Sequence, residues 1–235
     1  HEHGADCYEI DREHLICDLP IHEHTLQCFS DPEADVETSA IWKRTFERVE
    51  LTGNWNEDVI AIAKTQLGYA ESTANYEVQA DGTTMKGYTR YGAWYGVPYG
   101  DWCAMFCSFC MNYAEVDSNL IPFDSSCTRW IEKLSDPELD LYHLADNRES
   151  DVMPDASAVL SAGGYIPVPG DLIFWGRAQE GDKPEKATHV GIYLGQGQII
   201  HSSGEVRIDT LTPQGIWVQS LQQYSHSLHS IRRLS

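Results

Sequence analysis

From Gly170 onward the chain breaks into short apolar runs parted by turn residues, and this pattern limits its fold more than any other feature. The runs 171–175 (DLIFW), 189–194 (HVGIYL), 198–202 (QIIHS), 206–211 and 230–234 are rich in β-branched and aromatic residues and short enough to be strands. Upstream the period changes. In 57–67 (EDVIAIAKTQL), Val59, Ile60, Ile62, Ala63 and Leu67 recur at helical spacing, with Gly68 as the stop. A second helix is expected from Asp101 (DWCAMFCSFC) to about Ala114, and a short third over 126–134, with Cys127 and Trp130 on one side. Cys127 reads there as core. The stretch 82–100, rich in Gly and Tyr, reads as a loop over the second helix, and 112–168 as mostly helix and loop. Helices first and strands after describe an α+β domain, helices packed on a mostly antiparallel sheet.

Charge separates this body from its appendages. The formal net charge is -20, but 15 acidic and 4 basic side chains fall in residues 1–58, and 11 and 3 in residues 112–160. The helix and strand segments that hold the reactive residues are close to neutral. Phosphate binding needs clustered Lys and Arg, so nucleic acid is excluded as a partner. No apolar run approaches membrane-spanning length. The chain begins at His1, as expected of a fragment or a mature form.

Residues 1–30 form a Cys/His-rich arm with an internal repeat: His1-Glu2-His3 followed by Cys7, then His22-Glu23-His24 followed by Cys28, with Cys17 between. Alternate residues of an extended segment point the same way, so each HxH can aim two imidazoles at one ion. His3, Cys7, Cys17, His22, His24 and Cys28 are therefore candidate ligands of a structural zinc, with a disulfide across Cys7 and Cys17 as the alternative. Residues 31–55, opening on the polar run SDPEADVETSA, are expected as a linker, and 56–235 as the main domain.

Asp101 is a good N-cap, which would make Trp102 the first helical residue and Cys103 the second. A thiol there meets the positive end of the helix dipole, which favours thiolate, and free backbone N–H groups that can hold an oxyanion. Cys107 and Cys110 share its face and read as packing. The same three residues also spell C-x3-C-x2-C, a spacing that suits an iron-sulfur cluster, but a cluster wants a loop rather than a capped helix.

Pairing symmetric about Gly195 would set His189 opposite His201, with Cβ atoms about 4.5–5.5 Å apart. The pair supplies a base and a group to orient it, Val190, Ile192 and Leu194 turn to the core, and Gly191 leaves room for a sulfur or a substrate. Cys103, His189 and His201 then make a nucleophile, a general base and an orienting group, with no cofactor needed for the chemistry.

These segments resemble the papain-like cell-wall hydrolases, the NlpC-type peptidases and their CHAP relatives. PGDLIFWG and HVGIYLGQGQIIHSSGEVRIDTL are similar to the NlpC-type pattern, in which the catalytic His precedes the orienting His by twelve residues, which falls on His189 and His201. Trp102-Cys103-Ala104-Met105 departs from the NlpC-type Asp-Cys-Ser-Gly and is closer to the CHAP branch. The resemblance places a tyrosine of the family at Tyr91, so Tyr91, Asp101 and Trp102 are expected at the substrate. It implies a papain-like fold, extracellular or wall-associated location, and action on peptidoglycan stem peptides. NlpC-type members cut between D-glutamate and a diamino acid; CHAP members include amidases and cross-bridge endopeptidases. The alternative from another class is a module that binds wall fragments without cleaving them. The arm resembles Cys/His repeats of Gram-positive surface proteins and is expected to dock another surface protein.

Overall fold

The computed structural model describes residues 24–134, 142–145, 168–177, 186–210 and 225–228. Among these, five helices, α1 (Ser39–Lys43), α2 (Trp55–Lys64), α3 (Arg90–Tyr95), α4 (Cys103–Tyr113) and α5 (Cys127–Leu134), accompany two antiparallel sheets. The small sheet pairs β1 (Tyr76–Val78) with β2 (Met85–Gly87). The large sheet holds β3 (Tyr142–Ala145), β4 (Leu172–Arg177), β5 (Lys186–Gly195), β6 (Gln198–Ser203), β7 (Glu205–Thr210) and β8 (Ser225–Leu228), in the order β3-β8-β4-β5-β6-β7. Helices packed on an antiparallel sheet, with a cysteine at the head of the central helix, are the α+β arrangement expected from the sequence.

α4 organises the core. Every residue from Ala104 to Met111 is buried, so the helix is apolar all round and packs against α2 and α3 on one side and β5 and β6 on the other. Val59, Ile62 and Ala63 of α2 meet it as the spacing predicts, while Leu67 lies beyond the helix end and is exposed. The Asn54 side chain caps α2 by accepting from the Asn56 N–H, and Glu57, Asp58 and Lys64 complement its dipole.

Several expectations need correction. Residues 31–55 are not a free linker: Trp42 of α1 is buried in the core, Phe46, Val49 and Leu51 pack on it, and Trp42 Nε1 donates to the Tyr113 hydroxyl at 2.9 Å. The acidic composition misled because Trp42, Phe46, Val49 and Leu51 face inward, although Val36 and Ile41 stay exposed. The end of the arm is likewise attached, since Ser30 Oγ donates to the Tyr76 carbonyl and accepts from the Tyr76 N–H. The expected loop 82–100 contains β2 and α3, the latter capped by Thr89, whose hydroxyl accepts from the Gly92 N–H, and closed by Gly96 at φ 93°. β3 lies in a stretch expected to lack strands. The strand expected at 230–234 lies outside the described residues.

The β5–β6 turn also departs from symmetry. Gly195 pairs with Gln198, and Gln196 and Gly197 form a two-residue turn with φ 54° and 72°. Two positive φ values match the right-handed twist of a hairpin, which a three-residue loop centred on Gly195 would not. A bulge between Tyr193 and Gly195 then shifts the register, so Gly191, not His189, lies opposite His201. No described helix is long and apolar enough to cross a membrane.

Candidate active site

The bulge moves the two histidines into a diagonal relation across β5 and β6, and the glycine between them makes that relation close. His201 faces Gly191, two residues from His189 on the same side of β5. A Cβ on Gly191 would stand 2.9 Å from the His201 Cβ, so only glycine leaves room for the His201 ring to reach across. The space read from sequence as room for a sulfur or substrate is used by this imidazole. His189 Nε2 and His201 Nδ1 are 2.9 Å apart, with the rings perpendicular.

A third strand continues the line. Arg207 of β7 is opposite His201, which sets Asp209 diagonally beyond it, and His201 Nε2 is 2.8 Å from Asp209 Oδ2. Arg207 Nε donates to the same carboxylate oxygen at 3.1 Å. Burial, together with the nearby His189, holds His201 down to about 4 against the pull of Asp209, so its ring is neutral at pH 7. The hydrogen positions follow from that neutrality. Asp209 accepts the Nε2 proton of His201, His201 Nδ1 accepts from His189 Nε2–H, and His189 Nδ1 is left to face the sulfur. Asp209 went unnoticed in the sequence, although continuing the pairing around Gly204 would have placed it beside His201.

At the other side stands α4. Cys103 is the first helical residue and half-buried; Trp102 takes the cap position without a side-chain cap bond. Asp101 is not the cap: its carboxylate is exposed and bound to Lys86 Nζ at 2.6 Å. The Cys103 thiol is held well below its usual range by its hydrogen bond with Cys127, offset by burial and helped by its interactions with His189 and the Val190 backbone. Burial pushes Cys107 and Cys110, on the same helix, well above it. Cys127, expected as core, is buried but lies with its Sγ 3.7 Å from the Cys103 Sγ. No local pattern could reveal this, because it depends on how the first turn of α5 meets the first turn of α4.

Cys103 is shared by two adjoining clefts. One, of about 320 Å3, is bordered by Glu71, Lys86, Asp101, His189 and Ser202; the other, of about 440 Å3, by Val97, Ser126, Cys127 and Arg129. Trp102 borders the first cleft, with its Nε1 donating to Glu71 Oε2 at 3.0 Å. Tyr91 does not reach either one. It is fully buried, stacked on Trp102 at 5.4 Å between ring centres, and its hydroxyl donates to Gln66 Oε1 at 3.1 Å. Its role here is to support Trp102, a ring contact worth about 0.5–1.5 kcal/mol beyond the area it buries.

The geometry suits nucleophilic attack on a carbonyl. The thiolate stands at the positive end of α4, whose first N–H groups lack intrahelical acceptors and can hold an oxyanion. His189 can take the thiol proton and return it to a leaving amine, while His201 and Asp209 position it. Among the described residues no three His, Cys, Asp or Glu side chains converge as metal donors. Cys28, in the 3-10 helix Leu26–Phe29, and His24, just before it, are described, whereas His3, Cys7, Cys17 and His22 lie outside the described residues.

The NlpC/P60 family model matches residues 154–225, the stretch that carries His189, His201 and Asp209. The NlpC-type resemblance read from the sequence thus holds for the histidine half of the site, while Cys103 lies before the matched stretch. No curated protein matches the chain. Among solved structures, an NlpC/P60 family protein from Bacillus cereus ATCC 10987 is similar at 18% identity and a TM-score of 0.38, over 75% of this chain and 40% of that one. NlpC1 from Trichomonas vaginalis is similar at 17% identity and 0.38, over 76% and 44%. RipD from Mycobacterium tuberculosis, described as a non-catalytic NlpC/P60 domain protein adapted to peptidoglycan binding, is similar at 15% and 0.31, over 73% and 95%. The chain therefore spans less than half the length of the first two.

Proposed function

We propose that this chain is a cysteine peptidase of peptidoglycan stem peptides, acting outside the cytoplasm, with Cys103 as nucleophile and His189 as general acid and base. The NlpC/P60 match supports the coarser reading of a cell-wall peptidase or peptidoglycan-binding module. One observation favours the peptidase: hydrogen bonds run from Asp209 through His201 to His189, which shares a cleft with the Cys103 thiol held low. A module that only binds has no use for such a line. The favoured bond joins D-glutamate to a diamino acid, with the alanine amide and the cross-bridge as alternatives. Mass spectrometry of muropeptides before and after incubation tests this. New fragments with the unaltered chain and none with Cys103→Ser are expected; cleavage by the Cys103→Ser chain would end the assignment.

For the arm we retain structural zinc on His3, Cys7, Cys17, His22, His24 and Cys28, and docking to another surface protein, as proposals. Metal analysis under reducing conditions is expected to find bound zinc, and a metal-free chain would remove that reading.

A further inference from the structure

Cleavage needs one sulfur, yet two stand together at the site. Cys103 opens α4 and Cys127 opens α5, their Sγ atoms are 3.7 Å apart, and both border the same cleft. A disulfide bond is about 2.0 Å long, so closing the gap asks for less than about 2 Å of approach, within reach of side-chain rotation. The other two cysteines of α4, Cys107 and Cys110, are fully buried in the core. We propose that Cys103 and Cys127 form a reversible disulfide, in which Cys103 is oxidised by a peroxide and Cys127 resolves the product. This deepens the peptidase reading, since it takes the nucleophile out of action, and it rests on the reactivity that reading gives to Cys103.

The two thiols are unlike in a way that assigns their parts. Cys103 is half-buried and held low, whereas Cys127 is almost fully buried and held high, first by its hydrogen bond to Cys103 and then by burial. In the first step the Cys103 thiolate attacks one oxygen of hydrogen peroxide, the O–O bond breaks, and the hydroxide released takes a proton and leaves as water. The sulfur is oxidised by two electrons to the sulfenic acid and the peroxide is reduced. In the second step Cys127 gives up its proton and its sulfur attacks the Cys103 sulfur. The S–O bond breaks, the hydroxide takes the proton, and a second water leaves. A dithiol reductant reverses the result by thiol–disulfide exchange, itself becoming the cyclic disulfide.

The test uses the full chain, reduced and then exposed to hydrogen peroxide, with free thiols alkylated and the digested peptides weighed. The Cys103 and Cys127 peptides are expected to appear joined, lighter by two hydrogens than the separate pair, and to part again with dithiothreitol. In Cys127→Ser, Cys103 is expected to pass to sulfinic acid that dithiothreitol does not recover. The unaltered chain decides the matter even if that variant folds poorly. An unlinked pair, whether Cys103 is over-oxidised or remains a thiol, overturns the proposal, as does Cys103 joined to Cys7, Cys17 or Cys28. The readout needs no wall substrate. A chain that forms the link but cleaves no muropeptide keeps this proposal and loses the peptidase reading; one that cleaves and never links does the reverse.

Discussion

The two sides of the site are built differently. On the sheet side, His189, His201 and Asp209 sit on three consecutive strands, two diagonal steps apart, and strand geometry alone brings them together. On the helix side, Cys103, Cys107 and Cys110 share one helix and one residue type, yet one thiol is held low and the other two high. Position along α4 makes that difference, because Cys103 at its head lies beside His189 and Cys127, whereas Cys107 and Cys110 are fully buried. The sheet side supplies the order of the hydrogen bonds, and the helix side supplies the place where they end.

The largest expected effect comes from cutting the link between the sides. His189→Ala removes both base and hydrogen bond, so muropeptide cleavage should fall by about 10³-fold, with slower alkylation of Cys103 at mildly acid pH. Asp209→Asn leaves the ring geometry but no longer fixes the His201 proton. Loss of such a carboxylate in direct contact with the base costs about 10⁴-fold. Here a second imidazole intervenes, and a drop of about 10²-fold in kcat, with KM little changed, is expected.

His201 makes the sheet side sensitive to acid. Its folded value is about 4 against an ordinary 6.5, so between these values the unfolded chain takes up a proton that the folded one refuses. Stability is thus fully present above about pH 6.5 and declines as pH falls towards 4, by up to about 3 kcal/mol. Denaturant midpoints measured across that window should fall in the unaltered chain and stay flatter in His201→Gln. The groups facing this ring are His189, Asp209 and Arg207, and Asp209 already opposes the shift.

Gly191→Ala is a smaller change with a definite target. The added methyl would meet the His201 Cβ and the Ile200 carbonyl, so a loss of about 1–3 kcal/mol in stability is expected, with a further fall in activity as His201 shifts. Asp101→Ala should do least, within about 0.5 kcal/mol, because its carboxylate is exposed and pairs only with Lys86. A loss near 1 kcal/mol, measured by denaturation, would instead restore Asp101 as the helix cap.

The sequence disclosed the histidine pair because symmetric pairing about Gly195 sets both on one face; the two-residue turn alone would part them, and the bulge returns them to one face. It did not disclose the pairing that forms, since the bulge at Leu194 depends on the two-residue turn that follows. Cys103 was legible as the head of a helix, but its cap was misplaced by one residue: Trp102 holds the cap position and Asp101 pairs with Lys86. Tyr91 was drawn to the site by its distance along the chain from Cys103, whereas α3 buries it beneath Trp102. Cys127 had no signal at all. Its meaning lies in the contact between two helix ends, and local periodicity carries no information about that.

The central claim is that the line from Asp209 ends in an activated Cys103. Alkylation of each cysteine with iodoacetamide, followed by peptide mapping across a range of pH, tests it most directly. Cys103 is expected to react with an acid-shifted titration, well below an ordinary thiol, while Cys107 and Cys110 stay slow throughout. A Cys103 that titrates in the ordinary thiol range, or reacts no faster than its two neighbours, would contradict the account.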